Sequence, residues 1–464
     1  MKEKVKKRKL TGSCEDQKIG SVAQDWESLK TISLRRYKAM KKKGEILSII
    51  FVLVFTFLFI SAGKSKEYKG VTINVLSQPH NEMVVAEKYL SDFETETGIK
   101  VKIINFGEKD RRAKSRLDAS TEAGAYQVYY LDEANVAEFA SADWVLPLLD
   151  YYPSEYDFND FFTSFVGIGS YEGIPYFAPT TGGGDFFMYR KDILQKKGIS
   201  VPKTLEELEE AIKKIHNPPE IYGWTARGER GSGMNVWRWA PFFKGFGANW
   251  IDERGEPAIY SDAAVQATKK YMELMEYGPP GITSSDWSDS VEAFRAGKVA
   301  FIIETNMFAD WMEDPEKSAI VGKVGYAPPP RPLISAGYAH GVGISKPGCK
   351  NEKEREAAGL FIAWMTSKDQ EVKRLEEGFY NSYARVSTLQ HPLFQQKVKP
   401  EIREAIVEMD PFTELPIWPI PEWPEIGDRL GVILEELFTG SRTDIQDALY
   451  EANEYAKEVL ARRR

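Results

Sequence analysis

Two sorts of residue in this chain are equipped to act on another molecule: large flat aromatics, and short polar clusters that follow apolar runs. Of its 11 Trp, Trp224, Trp237, Trp239, Trp250, Trp287, Trp311, Trp418 and Trp423 stand in breaker-rich stretches. An indole offers a rigid apolar face with one N–H at its edge. Trp418 and Trp423 sit among prolines that fix the backbone and would present a ring rigidly. Core packing competes as a reading for each of them, and Trp364 is assigned to packing outright. Trp237 and Trp239, two residues apart, suggest one ring for a ligand and one for the core. The polar clusters are Gln78, His80, Asn81 and Glu82; Asp132, Glu133 and Asn135; and Glu304, Thr305 and Asn306. Carboxylates and amides there supply charge-assisted hydrogen bonds. Helix N-capping is the alternative role for Asp132 and Glu133.

These groups are suited to holding a ligand rather than transforming one. The chain has no GxSxG, no Walker A loop, no GxGxxG between a strand and a helix, no HExxH and no CxxC. Its two cysteines, Cys14 and Cys349, exclude a disulfide framework and any Cys-rich zinc cluster. A carboxylate pair suited to glycoside hydrolysis carries no information in a chain with 69 acidic residues. No catalytic residue, metal or cofactor is therefore expected.

Alternating elements would position the polar clusters. Lys69–Leu76, Lys100–Asn105 and Gln127–Leu131 read as strands. Helical patterns at Glu82–Thr97 and Ala113–Ser120 lie between them, with Gly98 as a C-terminal stop. Such alternation predicts an α/β fold with a parallel sheet, in which ligands sit beyond the carboxyl ends of strands. Phe186–Arg190, Val299–Ile303 and Gly341–Ser345 are further strands. Thr204-Leu-Glu-Glu207 reads as a capping box opening a helix to Ile215. Thr181, Gly183 and Asp185 fall in the run Thr181-Gly-Gly-Gly-Asp185, which lets backbone approach a ligand closely or serves as a flexible crossing turn. Residues 223–250 are aromatic and glycine-rich with little periodicity.

Charge divides the chain in two. The formal net charge is −8, but residues 1–45 carry +8 and residues 46–464 carry −16. An acidic body of this size argues against nucleic-acid binding. Residues 46–63 form an uncharged apolar run that as a helix would extend about 27 Å, enough for a bilayer core. One reading makes residues 1–45 a cytoplasmic tail and 46–63 a membrane anchor. The other starts translation at Met40, with 46–63 the core of a signal peptide cleaved near Ser61-Ala62-Gly63. Both place the body outside the cytoplasm.

Several stretches, in order, resemble the extracellular solute-binding proteins of ABC importers, in the carbohydrate-binding group that includes maltose-binding protein. They are Phe93-Glu-Thr-Glu-Thr-Gly-Ile-Lys-Val101, Gly173-Ile-Pro175 with Tyr189-Arg-Lys-Asp192, Lys197-Gly-Ile-Ser-Val-Pro-Lys-Thr204, Phe294-Arg-Ala-Gly-Lys-Val-Ala300 and Gly341-Val-Gly-Ile-Ser-Lys346. Asp314–Ala327 and Trp418–Glu425 look most like the sorbitol/mannitol-binding branch. The resemblance implies a two-lobed periplasmic-binding-protein fold of type II, with lobes at 68–178 plus 341–388 and at 179–340 plus 389–464. It implies a sugar, sugar alcohol or oligosaccharide ligand, captured by hinge closure and delivered to an ABC permease by a monomeric protein. A membrane-anchored carbohydrate sensor is the alternative. Phe308, Tyr338 and His340, the last two at the expected lobe crossing, join the ligand-binding candidates. Arg385 lies where relatives have a basic residue; a structural ion pair is its alternative role.

Overall fold

Why the chain makes two sheets follows from where its apolar strands run out of partners. The computed structural model describes residues 68–462, and the expectations for the basic leader and for 46–63 lie outside them. Thirteen strands are present among the described residues: β1 (Thr72–Ser77), β2 (Lys100–Asn105), β3 (Val128–Asp132), β4 (Ser170–Tyr171), β5 (Ile174–Pro175), β6 (Ala178–Gly183), β7 (Asp185–Arg190), β8 (Tyr222–Thr225), β9 (Val299–Thr305), β10 (Val324–Ala327), β11 (Ser335–Ala336), β12 (Tyr338–Ile344) and β13 (Thr413–Glu414). A five-stranded sheet runs β2-β1-β3-β12-β6 and a four-stranded sheet β10-β7-β9-β8. β1 pairs in parallel with β2 and β3, whereas β12 runs antiparallel to β3 and β6. In the second sheet β7 is antiparallel to β9 and β10, and β8 is parallel to β9.

Each sheet has its own apolar core. Val75, Leu76, Tyr129 and Leu131 of the first pack with Phe139, Phe361 and Ile362. Phe187, Phe301 and Ile302 of the second pack with Leu208, Trp239 and Phe294. Phe187 and Phe301 stack across the β7–β9 pair at 5.6 Å. β3, β6 and β9 are buried along their whole lengths, as expected for strands covered on both faces. The chain leaves the first sheet at Gly183 and enters the second at Asp185. It returns between β10 and β12.

The departures from the sequence reading have local causes. The helix read at Glu82–Thr97 is two helices, Asn81–Lys88 and Leu90–Thr97, broken at Tyr89, whose hydroxyl is held by Glu377 at 2.9 Å. The helix read at Ala113–Ser120 starts earlier and spans Glu108–Ser120. The Thr204 hydroxyl caps Glu207 N–H, but the Glu207 carboxylate accepts from Lys203 N–H rather than closing a reciprocal box on Thr204. The stretch without periodicity contains β8 and the helix Asn235–Gly245, whose residues 235–243 are all buried. A helix enclosed on every side has no polar face and so no amphipathic signature. Among the described residues no helix is long and apolar enough to cross a membrane.

Candidate functional site

The carboxyl ends of four strands and the crossing strand β12 meet around one cleft between the two sheets. From the first sheet come His80 after β1, Glu108 and Arg112 on the helix following β2, Glu133 after β3, and Tyr338 and His340 on β12. From the second come Arg227 after β8, Thr305 at the end of β9, and Phe308 in the turn beyond it. Trp237 and Trp287, from the helices Asn235–Gly245 and Trp287–Arg295, complete that wall, with Gly233 and Met307. The free space they enclose is about 50 Å³.

A single hydroxyl organises the first wall. Tyr130 donates to Glu82 Oε1 at 2.6 Å, and its oxygen lies 3.0 Å from His80 Nδ1 and 3.1 Å from His340 Nδ1. A phenol has one proton and two lone pairs. With that proton on Glu82, both imidazoles must donate through Nδ1–H. Burial lowers the pKa of both histidines, His340 well below the usual value, so the rings are neutral and each is left with Nε2 as an acceptor. Gln78 Nε2 accordingly donates to His80 Nε2 at 2.9 Å. The two rings stack at 5.3 Å and 19°.

Beneath this floor Arg111 is wholly buried, donating to Tyr130 O at 2.7 Å, to Gln78 Oε1 at 2.9 Å and to Asp132. Arg112 Nε donates to the same Asp132 at 2.9 Å, and its Nη1 lies 3.0 Å from Glu108. Burial alone would raise the Asp132 pKa, but Arg112 and Arg111 outweigh it and hold that carboxyl well below its ordinary range. Its neighbour Glu133 is the opposite case. Burial, reinforced by the Asp132 charge, pushes its carboxyl up to about 8.

The second wall pairs each cation with its own carboxylate. Arg227 holds Glu304 through two bonds of 2.9 and 2.5 Å and donates to Gly233 O at 2.7 Å. Arg238 holds Asp185 through bonds of 2.7 and 2.9 Å and also reaches Ile303 O. Over this base Trp287 stacks on Phe308 at 5.6 Å and 17°. At the mouth Lys109 and Glu229 form an ion pair between the walls. A Cβ on Gly233 would come within 2.6 Å of Glu108 Oε1 and 2.8 Å of Arg112 Nη1, so a larger residue there would displace those two side chains.

Three buried polar atoms of cleft residues have no protein partner: Glu133 Oε2, Thr305 Oγ1 and Trp237 Nε1. Leaving such a group unsatisfied costs about 1–3 kcal/mol. Their residues, bearing a carboxyl, a hydroxyl and an indole N–H, line one cleft beside an aromatic pair. That arrangement suits a molecule carrying several hydroxyls on an apolar skeleton. Among the described residues no group of three or more His, Cys, Asp or Glu is placed to hold a metal.

Of the residues singled out from sequence, the structure brings His80, Glu133, Trp237, Trp287, Thr305, Phe308, Tyr338 and His340 to this cleft. Glu82, Asp132 and Asp185 lie behind it, committed to Tyr130, the Arg111–Arg112 pair and Arg238. Thr181 is buried in β6 opposite His340. Asn306 is buried too, and accepts from the Tyr338 hydroxyl at 3.4 Å. Gly183 is small because its Cα faces the Asn306 amide, where a Cβ would collide. Asn81 lines a separate cavity with Asp310 and Asn381.

Three candidates are placed elsewhere by packing. Arg385 is fully buried, donating to the carbonyls of Thr366, Asp157 and Tyr156 and to the Tyr152 hydroxyl, with its guanidinium 4.1 Å from the Phe161 ring. Trp418 and Trp423 belong to the second core, Trp423 with its edge against Trp250 at 4.9 Å. The prolines around them turn the rings inward. Glu108, Arg112, Arg227, Gly233 and Met307 were not anticipated. The strand-end rule, applied to the loops after β2 and β8 as well, would have reached Glu108 and Arg227.

Comparison with known proteins agrees with this architecture. Residues 65–372 match the family model described as bacterial extracellular solute-binding protein. A mannitol-binding protein of Pseudomonas aeruginosa is 23% identical over 408 residues, covering 84% of this chain and 93% of the relative. The crystal structure of an ABC-transporter solute-binding protein from Agrobacterium radiobacter, in complex with ribitol, is 28% identical with a TM-score of 0.77 over 84% of this chain and 99% of its own. Another from Agrobacterium vitis, with bound D-mannitol, is 25% identical with a TM-score of 0.76, over 85% and 99%. A family match across most of the chain, on two sheets that enclose a polar and aromatic cleft, places this protein in the bacterial extracellular solute-binding family, with the type II periplasmic-binding-protein fold.

Proposed function

We propose that this protein captures a small sugar alcohol or monosaccharide in the cleft, outside the cytoplasm, and hands it to the membrane permease of an ABC importer. The carrying observation is the set of unpartnered groups at Glu133, Thr305 and Trp237 around about 50 Å³ of free space. A linear polyol offers both donors and acceptors to these groups. The mannitol and ribitol ligands of the relatives support the same class. The closing units are taken to be residues 68–178 plus 341–388 and residues 179–340 plus 389–464, bounds that fall inside β6 and β12 of the first sheet. Binding without turnover fits the relatives, which are described as binding proteins.

A micromolar dissociation constant corresponds to about −8 kcal/mol. Several hydrogen bonds to charged groups at about 1.5–3 kcal/mol each, with aromatic contact, reach that range. Thermal denaturation with ribitol, mannitol and maltose tests the reading. A polyol at 100 times its Kd should stabilise the protein by about 2.7 kcal/mol, with maltose giving no shift. Stabilisation by maltose alone, or by no polyol at all, would overturn it.

A further inference from the structure

We infer that Glu133 and His340 form a subsite for a protonated amine, so that the preferred ligands are polyols bearing an amino group and their carboxylate analogues are rejected. This rests on the polyol reading above and specifies the ligand chemistry of the same cleft.

The geometry leaves two acceptors facing each other. His340 Nε2 lies 3.8 Å from Glu133 Oε2, and the Tyr130 proton count makes that nitrogen a lone pair rather than an N–H. Glu133 Oε2 has no hydrogen-bond partner, and its residue is only 5% exposed. A ligand nitrogen placed beside this pair can reach both atoms. A hydroxyl brings a single proton to that task. An ammonium brings three protons and a positive charge.

Charge balance points the same way. Every guanidinium near the cleft is already paired: Arg111 with Asp132, Arg112 with Asp132 and Glu108, Arg227 with Glu304, and Arg238 with Asp185. Among the described residues, the basic group within 4.0 Å of the Glu133 carboxylate is the neutral His340. The Glu82 carboxylate, behind Tyr130, accepts from hydroxyls of Tyr130, Thr180 and Ser382. The cleft thus holds more carboxylates than guanidinium groups to balance them. A ligand carboxylate would meet Glu133 and a lone pair with no spare cation to receive it. A ligand ammonium would hold the Glu133 carboxyl ionised by supplying a charge partner at Oε2, offsetting the burial and the Asp132 charge that raise its pKa.

Calorimetric titration of the full chain at pH 7.5 with mannitol, 1-amino-1-deoxymannitol and mannonate separates the possibilities. The amine should bind about tenfold more tightly than mannitol, and mannonate at least tenfold more weakly. In Glu133→Gln the amine-to-mannitol affinity ratio should fall to about one, whatever happens to mannitol itself. An amine no tighter than mannitol in the wild type, or an amine preference that survives Glu133→Gln, overturns the inference and leaves the polyol reading standing. Binding by none of the three overturns both.

Discussion

The two walls of the cleft are built from the same residue types and behave differently. On the second wall each arginine is matched to one carboxylate through two bonds, Arg227 to Glu304 and Arg238 to Asp185. The result is a base of matched charges that carries an aromatic pair. On the first wall Asp132 takes both Arg111 and Arg112, while Glu133, one residue on, has no cation of its own. Adjacent carboxyls are consequently driven in opposite directions, Asp132 down and Glu133 up. The second wall matches its charges internally, although Thr305 Oγ1 and Trp237 Nε1 stay unpartnered there, and the first wall keeps a carboxyl with no ion-paired cation. A binding site needs both, because an acceptor is selective only when its surroundings hold still.

Four measurements bear on this contrast. The largest effect should come from Asp185→Ala, which strands the buried Arg238 guanidinium. Removing one partner of a buried pair costs about 3–5 kcal/mol, to be read as a lower urea midpoint. A loss below about 1 kcal/mol would mean the second wall is not the rigid one. Next, Trp237→Phe keeps the ring face and deletes the Nε1 donor. Polyol affinity should drop about two- to tenfold, the worth of one neutral hydrogen bond, with little change in stability; unchanged affinity would remove that group from the site.

The third concerns pH. The Glu133 carboxyl rises from 4.5 unfolded to about 8 folded, so the native state holds a proton that the unfolded chain has released. That stabilisation is complete at pH values below 4.5 and is lost as pH rises through 8. Between pH 7 and pH 9 the unliganded protein should lose about 1 kcal/mol, and Glu133→Gln should flatten the slope. Asp132, already ionised, contributes nothing in that window. An equal slope in the variant would place the titration elsewhere. The smallest effect is expected from Lys109→Ala, which removes the half-exposed pair at the mouth. Affinity should weaken less than about fivefold, with the difference vanishing at high salt.

Each wall was partly legible in the sequence, the second less in its β8 side than in β9. β1 and β3 announce themselves by apolar runs, so the strand-end rule led directly to His80 and Glu133. β8 is only Tyr222-Gly-Trp-Thr225, and the helix behind it, Asn235–Gly245, contains Pro241 and no polar face. With those elements unseen, Arg227 had no position from which to be chosen. Pairings such as Asp185 with Arg238, 53 residues apart, leave no local trace at all. Prolines around Trp418 and Trp423 indicate a fixed ring but not its direction, and packing against Trp250 turned it into the core. Family resemblance supplied the architecture; which polar groups remain unpaired emerges only when distant segments are brought together.

Gly233 carries a consequence for time rather than affinity. The walls approach there to within the breadth of a single methyl group. If the walls close over a ligand as proposed, escape requires this seam to part while entry does not. A larger side chain at position 233 is then expected to act on residence time more than on the encounter rate. With a hydrogen there the closed state favours retention, and each added carbon should shorten it.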